Sequence, residues 1–246
     1  MEKKVGIVSC YFQHNYGSML QAYATQMALD KLNIKNETID ISGFNHEIKK
    51  AKIKYFIKAS LTSDILLSKM GMTKNVLRKK FSNNQYACLS KERESKFDWF
   101  AKSHFRLSKE YKSIAELEKN CVQNYEAVLV GSDQLWLPGN IAADYYTLNF
   151  VPDFVNTIAY ATSFGQSELP KDSSQKASVF LKKIKHIGVR EESGQKLVKK
   201  LAGRNVPVVC DPTLLFTGEE WMSIQQEKPI MEGRYIFCYL DRKSVV

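Results

Sequence analysis

The stretch VGIVSCYFQHNYGSMLQAYA, residues 5–24, begins as an apolar run and ends as a patterned polar–apolar one. Residues 5–12 have the composition of a buried strand. Beyond them, Leu20, Tyr23, Ala24 and Met27 fall at i, i+3, i+4 and i+7, the spacing of one helical face. Between the two lies a turn: Gly17 supplies backbone freedom, Asn15 tolerates left-handed geometry, and Ser18 is placed to cap the helix. Two readings of His14–Gly17 follow. It is a plain turn, or it is a ligand loop, because a helix start presents unpaired N–H groups at a positive dipole end.

The same strand–turn–helix rhythm continues outward. ETIDI (37–41) reads as the next strand and completes a βαβ unit. YEAVLV (125–130), NTIAYAT (156–162), HIGVR (186–190) and VPVVC (206–210) read as further strands. Ala177, Phe180, Leu181 and Ile184 mark a helical face between two of them. Runs so continuous in Val, Ile and Ala suit parallel strands covered on both sides, so the expected fold is an α/β, doubly wound, Rossmann-like sheet. The strand ends carry QHNYGS, GSDQLW, SFGQS, REESG and DPTLL, five polar turns converging on the edge where ligands of open α/β sheets bind. None is a Walker loop or a GxGxxG fingerprint.

Composition narrows the function classes. A chain of 246 residues with 44% hydrophobic content buries a full core. Its five cysteines form no CxxC pair and no cluster with the four histidines, which argues against a zinc site or a disulfide framework and for a reducing cytosol. No run reaches the roughly 18 apolar residues of a membrane span. The net charge of +10 is concentrated: between Glu47 and Lys96 there are thirteen Lys/Arg and four Asp/Glu, a local +9. That segment, expected to be an insertion of irregular helices at about 44–100, is read as a solvated face or as a surface for phosphorylated or membrane anions. Its charges lack the aromatic interleaving of a nucleic-acid module, so no nucleic-acid partner is expected.

NYGSMLQAYA, GSDQLW, YATSFG, VREESG and DPTLL…EEW, in that order and spacing, resemble the polysaccharide pyruvyl transferase family over nearly the whole chain. The resemblance implies a GT-B-like pair of Rossmann-like halves facing a cleft. It implies transfer of a pyruvyl group from phosphoenolpyruvate to sugar hydroxyls of cell-surface or exported polysaccharides, with no metal and no cofactor beyond the donor substrate. On that pattern residues 1–216 are the N-terminal domain, 217–233 a connector, and 234–246 the first strand of a largely absent second half. The donor-gripping residues would then lie beyond Val246, and the chain alone would not transfer pyruvate. One departure is local: Leu137 precedes Pro138 where the family string often reads Asn-Pro.

Ketal formation needs a base for the sugar hydroxyl, an acid for the methylene carbon, and cations for phosphate and carboxylate. Asp133 is the leading candidate, as base or as acceptor-binding carboxylate, against a turn-capping role. Ser132 and Gln134 flank it as substrate-binding candidates. Trp136 either stacks on a sugar ring or plugs the core. His14, Asn15, Tyr16 and Gly17 form the substrate loop beside it. Ser163 and Gly165 line the cleft through backbone groups. Arg190 either grips a donor anion or pairs with Glu191, Glu192 or Asp211, and Asp211 and Pro212 shape a turn. His46, His104 and His186 are structural. Ile48, Ala51, Tyr55 and Ala59 form an apolar stripe among lysines, as in a helix lying on an anionic membrane surface and holding a lipid-linked acceptor at the inner face. Two alternatives remain: a GT-B nucleotide-sugar glycosyltransferase, and a truncated non-catalytic glycan- or partner-binding module.

Overall fold

The computed structural model describes residues 3–60 and 84–225 together with Gly233, Arg234 and Ile236. The chain divides into two compact units, Met1–Leu215 and Phe216–Val246. The first is built on five parallel strands: β1 (Lys4–Val8), β2 (Asn36–Thr38), β3 (Tyr125–Val130), β4 (Asn156–Thr162) and β5 (His186–Val189). Their order is β2-β1-β3-β4-β5. The helices are α1 (Tyr16–Lys31), α2 (Asn45–Ser60), α3 (Asn84–His104), α4 (Ile114–Asn124), α5 (Pro138–Ala143), α6 (Lys171–Lys183) and α7 (Glu192–Ala202), followed by a 3-10 turn, Pro212–Leu215. In the second unit α8 (Gly218–Ser223) is opened by a reciprocal cap between Thr217 and Glu220. The strand expected at 234–240 lies almost wholly outside the described residues, as does 226–232 of the expected connector.

Alternation along the strands divides the core in two. Val8, Val128, Val130 and Ala159 join Leu117 and Cys121 of α4 and Ala177, Phe180 and Leu181 of α6. Val5, Ile7, Ala127 and Leu129 join Leu29 of α1. Successive strand residues point to opposite faces, so both faces are covered and the sheet is doubly wound.

Several expectations are corrected. The first strand ends at Val8 rather than residue 12, and residues 9–12 lead into the turn before α1. At 206–210 there is only an isolated bridge, Val189 to Val208, because a proline at 207 removes a ladder donor. In α1 the buried residues include Met19, Ala22, Gln26 and Leu29, whereas Leu20 stays exposed. The helix packs against both β2 and the 3-10 turn, which a single-stripe reading misses. Among the described residues the basic insertion contains two regular helices, α2 and α3; residues 61–83 lie outside them. The stripe assigned to a membrane surface faces inward: Ile48 is 2% exposed, Ala51 packs on the core, and α2 lies against α5.

Candidate active site

β1 sits between β2 and β3, so the chain leaves it on one side first and returns on the other. That reversal opens a crevice at the carboxyl ends of β1 and β3, the usual ligand position in such sheets. Asp133, three residues past β3, lies there. Its backbone adopts φ of 87°, a conformation that strains a residue bearing a side chain. The loop is held because Asp133 pairs with Thr162: Ser163 N–H donates to the Asp133 carbonyl at 3.0 Å, and Trp136 N–H donates to the Ser163 carbonyl at 3.0 Å.

The Asp133 carboxylate is held from three directions. Ser18 Oγ donates to Oδ2 at 2.7 Å, Cys10 Sγ approaches Oδ2 at 3.3 Å, and Gln134 N–H donates to Oδ1 at 2.7 Å. A carboxylate offers about four lone-pair positions, so one stays open for a substrate hydroxyl. Burial, then the neighbouring Asp133, pushes the Cys10 thiol up, so it remains a neutral donor. Gln21 supports both partners, donating to the Ser18 carbonyl at 2.8 Å and contacting Cys10 Sγ at 3.6 Å. Tyr146 is buried, and its hydroxyl has no hydrogen-bond partner among the described residues. Burial, then Cys10 and Asp133, holds that phenol protonated.

The profile of the family described as polysaccharide pyruvyl transferase matches residues 15–244. The chain belongs to that family. Searches of curated proteins and of solved structures return no match.

The other candidates of this pyruvyl transferase family member divide into two groups. Asn15 is the N-cap of α1, its Oδ1 accepting from Ser18 N–H at 3.1 Å. The cap expected of Ser18 therefore falls to Asn15, and the Ser18 hydroxyl is released to Asp133. Gly17 lies two residues past that cap, in the first turn, with the Asn15 Oδ1 3.4 Å from where a Cβ would stand. His14 Nε2 lies 2.9 Å from Asp98 Oδ1 and stacks on Phe97, while Arg93 donates to the His14 carbonyl at 2.9 Å. Tyr16 remains 62% exposed beside Phe97 and Arg93. The loop thus leans on α3, and Tyr16 is its open aromatic face. Gln134 is exposed beside Asp133.

The second group is committed to the framework. Trp136 is a core residue, 0% exposed, packed on Phe164 and Phe180 with Nε1 donating to the Tyr146 carbonyl at 3.0 Å. The sugar-stacking reading is corrected, since no ring face is available. Ser163 donates to Glu191 at 2.8 Å and accepts from Gly165 N–H at 2.9 Å. Gly165 has φ of 64°, and an added Cβ would stand 3.0 Å from both the Gln134 and Leu137 side chains. Ser132 donates to Asp211 at 2.6 Å, and Arg190 pairs with the same carboxylate at 3.3 Å. Burial raises the Asp211 carboxyl, but hydrogen bonds from Ser132, Thr213 and Arg190 outweigh it and hold it below the usual range. Asp211 therefore ties two strand-end turns together, those of Ser132 and Arg190, as well as shaping its own through Thr213.

Sequence reasoning missed Cys10, Ser18 in this role, Tyr146 and Lys52. Lys52 of α2 is partly buried, its Nζ 5.8 Å from the Tyr146 ring centroid. Its signal was available: four residues after Ile48, it falls on the packed face of the helix. No group of three His, Cys, Asp or Glu among the described residues could hold a metal ion. A surface depression of about 530 Å³ lined by Pro152, Val155, Thr157 and Val179 opens at the amino end of β4. It is at the opposite edge of the sheet from Asp133, and its carboxylate, Asp153, faces Lys183 at 3.5 Å.

Proposed function

We propose that the protein transfers the pyruvyl group of phosphoenolpyruvate to hydroxyls of a saccharide acceptor, with Asp133 as the base. The observation that carries this reading is the Asp133 carboxylate, fixed by Ser18, Cys10 and the Gln134 N–H on a strained turn at the switch point of the sheet. A base held in one orientation, with one acceptor position open, suits removal of a hydroxyl proton. In the transfer, a proton drawn from solvent adds to the donor methylene carbon, the sugar oxygen bonds to the adjacent carbon, and the hydroxyl proton passes to Asp133, which returns it to solvent. A second hydroxyl then attacks the same carbon as its bond to the phosphate oxygen breaks, and the second hydroxyl's proton leaves with inorganic phosphate as the ketal closes.

Tyr16, exposed at the mouth of the crevice, supplies an aromatic face for the sugar. In this reading the first unit is one wall of a GT-B-like cleft, and the reaction belongs to cell-envelope or exopolysaccharide assembly on the cytoplasmic side. No helix among the described residues is long and apolar enough to cross a membrane. Lys49, Lys50 and Lys54, exposed on α2, provide peripheral attraction to anionic lipid. Equal co-sedimentation with neutral and anionic vesicles would count against that last element.

The test is phosphate release from phosphoenolpyruvate against a panel of galactose-, mannose- and glucosamine-containing acceptors, run on the chain and on a version extended through the following reading frame, with mass analysis of the product. Acceptor-dependent release and a pyruvylated sugar support the reading. Release independent of acceptor, or none across the panel, overturns it.

A further inference from the structure

We propose that Lys52, with the hydroxyl of Tyr146, binds the phosphate group of a substrate at the Asp133 site, so that the basic insertion supplies part of the reaction centre. This deepens the pyruvyl-transfer reading and rests on it for the identity of the substrate.

The argument begins with where the lysines of α2 point. Lys49, Lys50 and Lys54 are exposed, as helical lysines usually are. Lys52 instead shares the side of Ile48 and Ala51, the residues that pack α2 on the core. Its ammonium lies over the Tyr146 ring and has no carboxylate partner among the described residues. Burial lowers its pKa, and the proximity of Cys10 recovers part of that loss. A partly buried cation without an anion costs stability, and a methionine or leucine there would pack at no such cost. An anion supplied by the substrate resolves that cost.

The second observation is independent of the lysine. Tyr146 is 1% exposed and its hydroxyl is unpartnered among the described residues, although its carbonyl is engaged by Trp136. A buried phenol without an acceptor is uncommon. Both donors lie within electrostatic reach of Cys10, which approaches Asp133 Oδ2 at 3.3 Å, and both lack the acceptor that a phosphate oxygen provides. Lysine serves phosphate as a compact charge without a required plane of approach. The negative Asp133 confines the phosphate to the α2 side of the crevice and leaves the hydroxyl acceptor on the other.

The phosphate could be that of the enol-phosphate donor or that of a phosphorylated saccharide acceptor, and the experiment separates them. Calorimetric titrations of the full chain use inorganic phosphate, phosphoenolpyruvate, a hexose 1-phosphate and pyruvate, with Lys52→Met, Lys52→Arg and the surface control Lys50→Met. Lys52→Met should weaken inorganic phosphate about tenfold to a hundredfold, the effect of one charge-assisted hydrogen bond. Lys52→Arg should retain most of the affinity, and Lys50→Met should match the wild type within about twofold. Equal losses for phosphoenolpyruvate and none for the hexose phosphate name the donor; the reverse names the acceptor. Pyruvate should be indifferent to the substitution.

Should Lys52→Met fail to fold, acylation of the wild-type amines read by mass spectrometry replaces it, and phosphate should protect Lys52 but not Lys50. Unchanged phosphate affinity in a folded Lys52→Met, lack of protection, or no phosphate binding by the wild type would overturn the proposal. Phosphate binding through Lys52 without pyruvyl transfer would remove the functional reading and leave this site. Pyruvyl transfer whose KM ignores Lys52 for both substrates would do the opposite.

Discussion

Ser18 Oγ donates to Asp133 Oδ2 at 2.7 Å across 115 residues of chain, joining the first turn of α1 to the loop after β3. The bond orients the carboxylate without touching substrate, so Ser18 is a positioning residue. Ser18→Ala should lower kcat about tenfold, as expected for one lost hydrogen bond to a charged group, and leave KM for the donor within about twofold. Ser18→Thr, which keeps the hydroxyl, should recover most of the rate. An equal loss in both variants would assign the effect to packing.

Asp133→Asn should cost turnover about 10²–10⁴-fold, the usual contribution of a general base, while the melting temperature changes little. Asparagine tolerates the positive φ of 87° and is nearly isosteric, which isolates the charge. Asp133→Gly should be inactive as well, yet should fold, because glycine relieves the backbone strain. A variant that melts many degrees lower and retains its rate would make Asp133 a structural cap.

Lys52→Met should raise the melting temperature by about 2 °C while it weakens phosphate binding, since about 1 kcal/mol corresponds to a few degrees at this chain length. The sign with pH follows from the depressed lysine pKa. Between the folded and unfolded pKa values the native state binds fewer protons than the unfolded state, so wild-type stability rises with pH there. The advantage of Lys52→Met should therefore shrink as pH climbs toward about 10.4, the ordinary lysine value. Cys10 and the Tyr146 ring lie near the ammonium and are present in both proteins. Denaturant titration at pH 7.5 and 10 measures it, and a gap that widens refutes it.

Asp211 gives the opposite dependence. Its carboxyl is held low, so its stabilisation is full above the usual carboxylate value and disappears as pH falls through the folded one. Asp211→Asn should cost about 1 kcal/mol at pH 7, allowing for solvent screening. The difference from wild type should close below about pH 4. A constant difference from pH 7 to pH 3 would show that its charge is irrelevant to the contacts with Ser132 and Arg190.

Trp136→Ala should destabilise by about 3–5 kcal/mol, the range for truncating a buried aromatic. Trp136→Phe should cost less, mainly the hydrogen bond to the Tyr146 carbonyl. Among variants that stay folded, acceptor affinity should follow Tyr16→Ala, not Trp136→Phe. Loss of acceptor binding in folded Trp136→Phe would return the ring to the cleft.

The parallel sheet was legible because YEAVLV and NTIAYAT are short runs rich in Val, Ile, Ala and Tyr, and their observed bounds coincide with those runs. The place of Asp133 was legible too, since a carboxylate directly after such a run must lie at a strand end. What pairs with it was not. Ser18 and Cys10 come from a segment more than a hundred residues earlier, and periodicity carries no information on which strands become neighbours. Trp136 stayed ambiguous for the same reason: an aromatic after a strand is equally suited to a cleft or a core, and the Phe164 and Phe180 rings that enclose it lie on other elements. The turn containing Asn15 and Ser18 offered two capping oxygens, and only geometry shows which one is free for another partner.

The strand order carries a cost during synthesis. β1 ends at Val8, and β3, which covers its second edge, begins at Tyr125. At roughly 5–20 residues per second a ribosome needs about 6–23 s to span that interval. For that time the nascent β1–α1–β2 unit presents an open strand edge and the apolar side chain of Val8, whose partners on α4 and α6 come later, the features that recruit chaperones or seed aggregation. The crevice that holds Asp133 thus cannot form until β3 and the loop after it have been made.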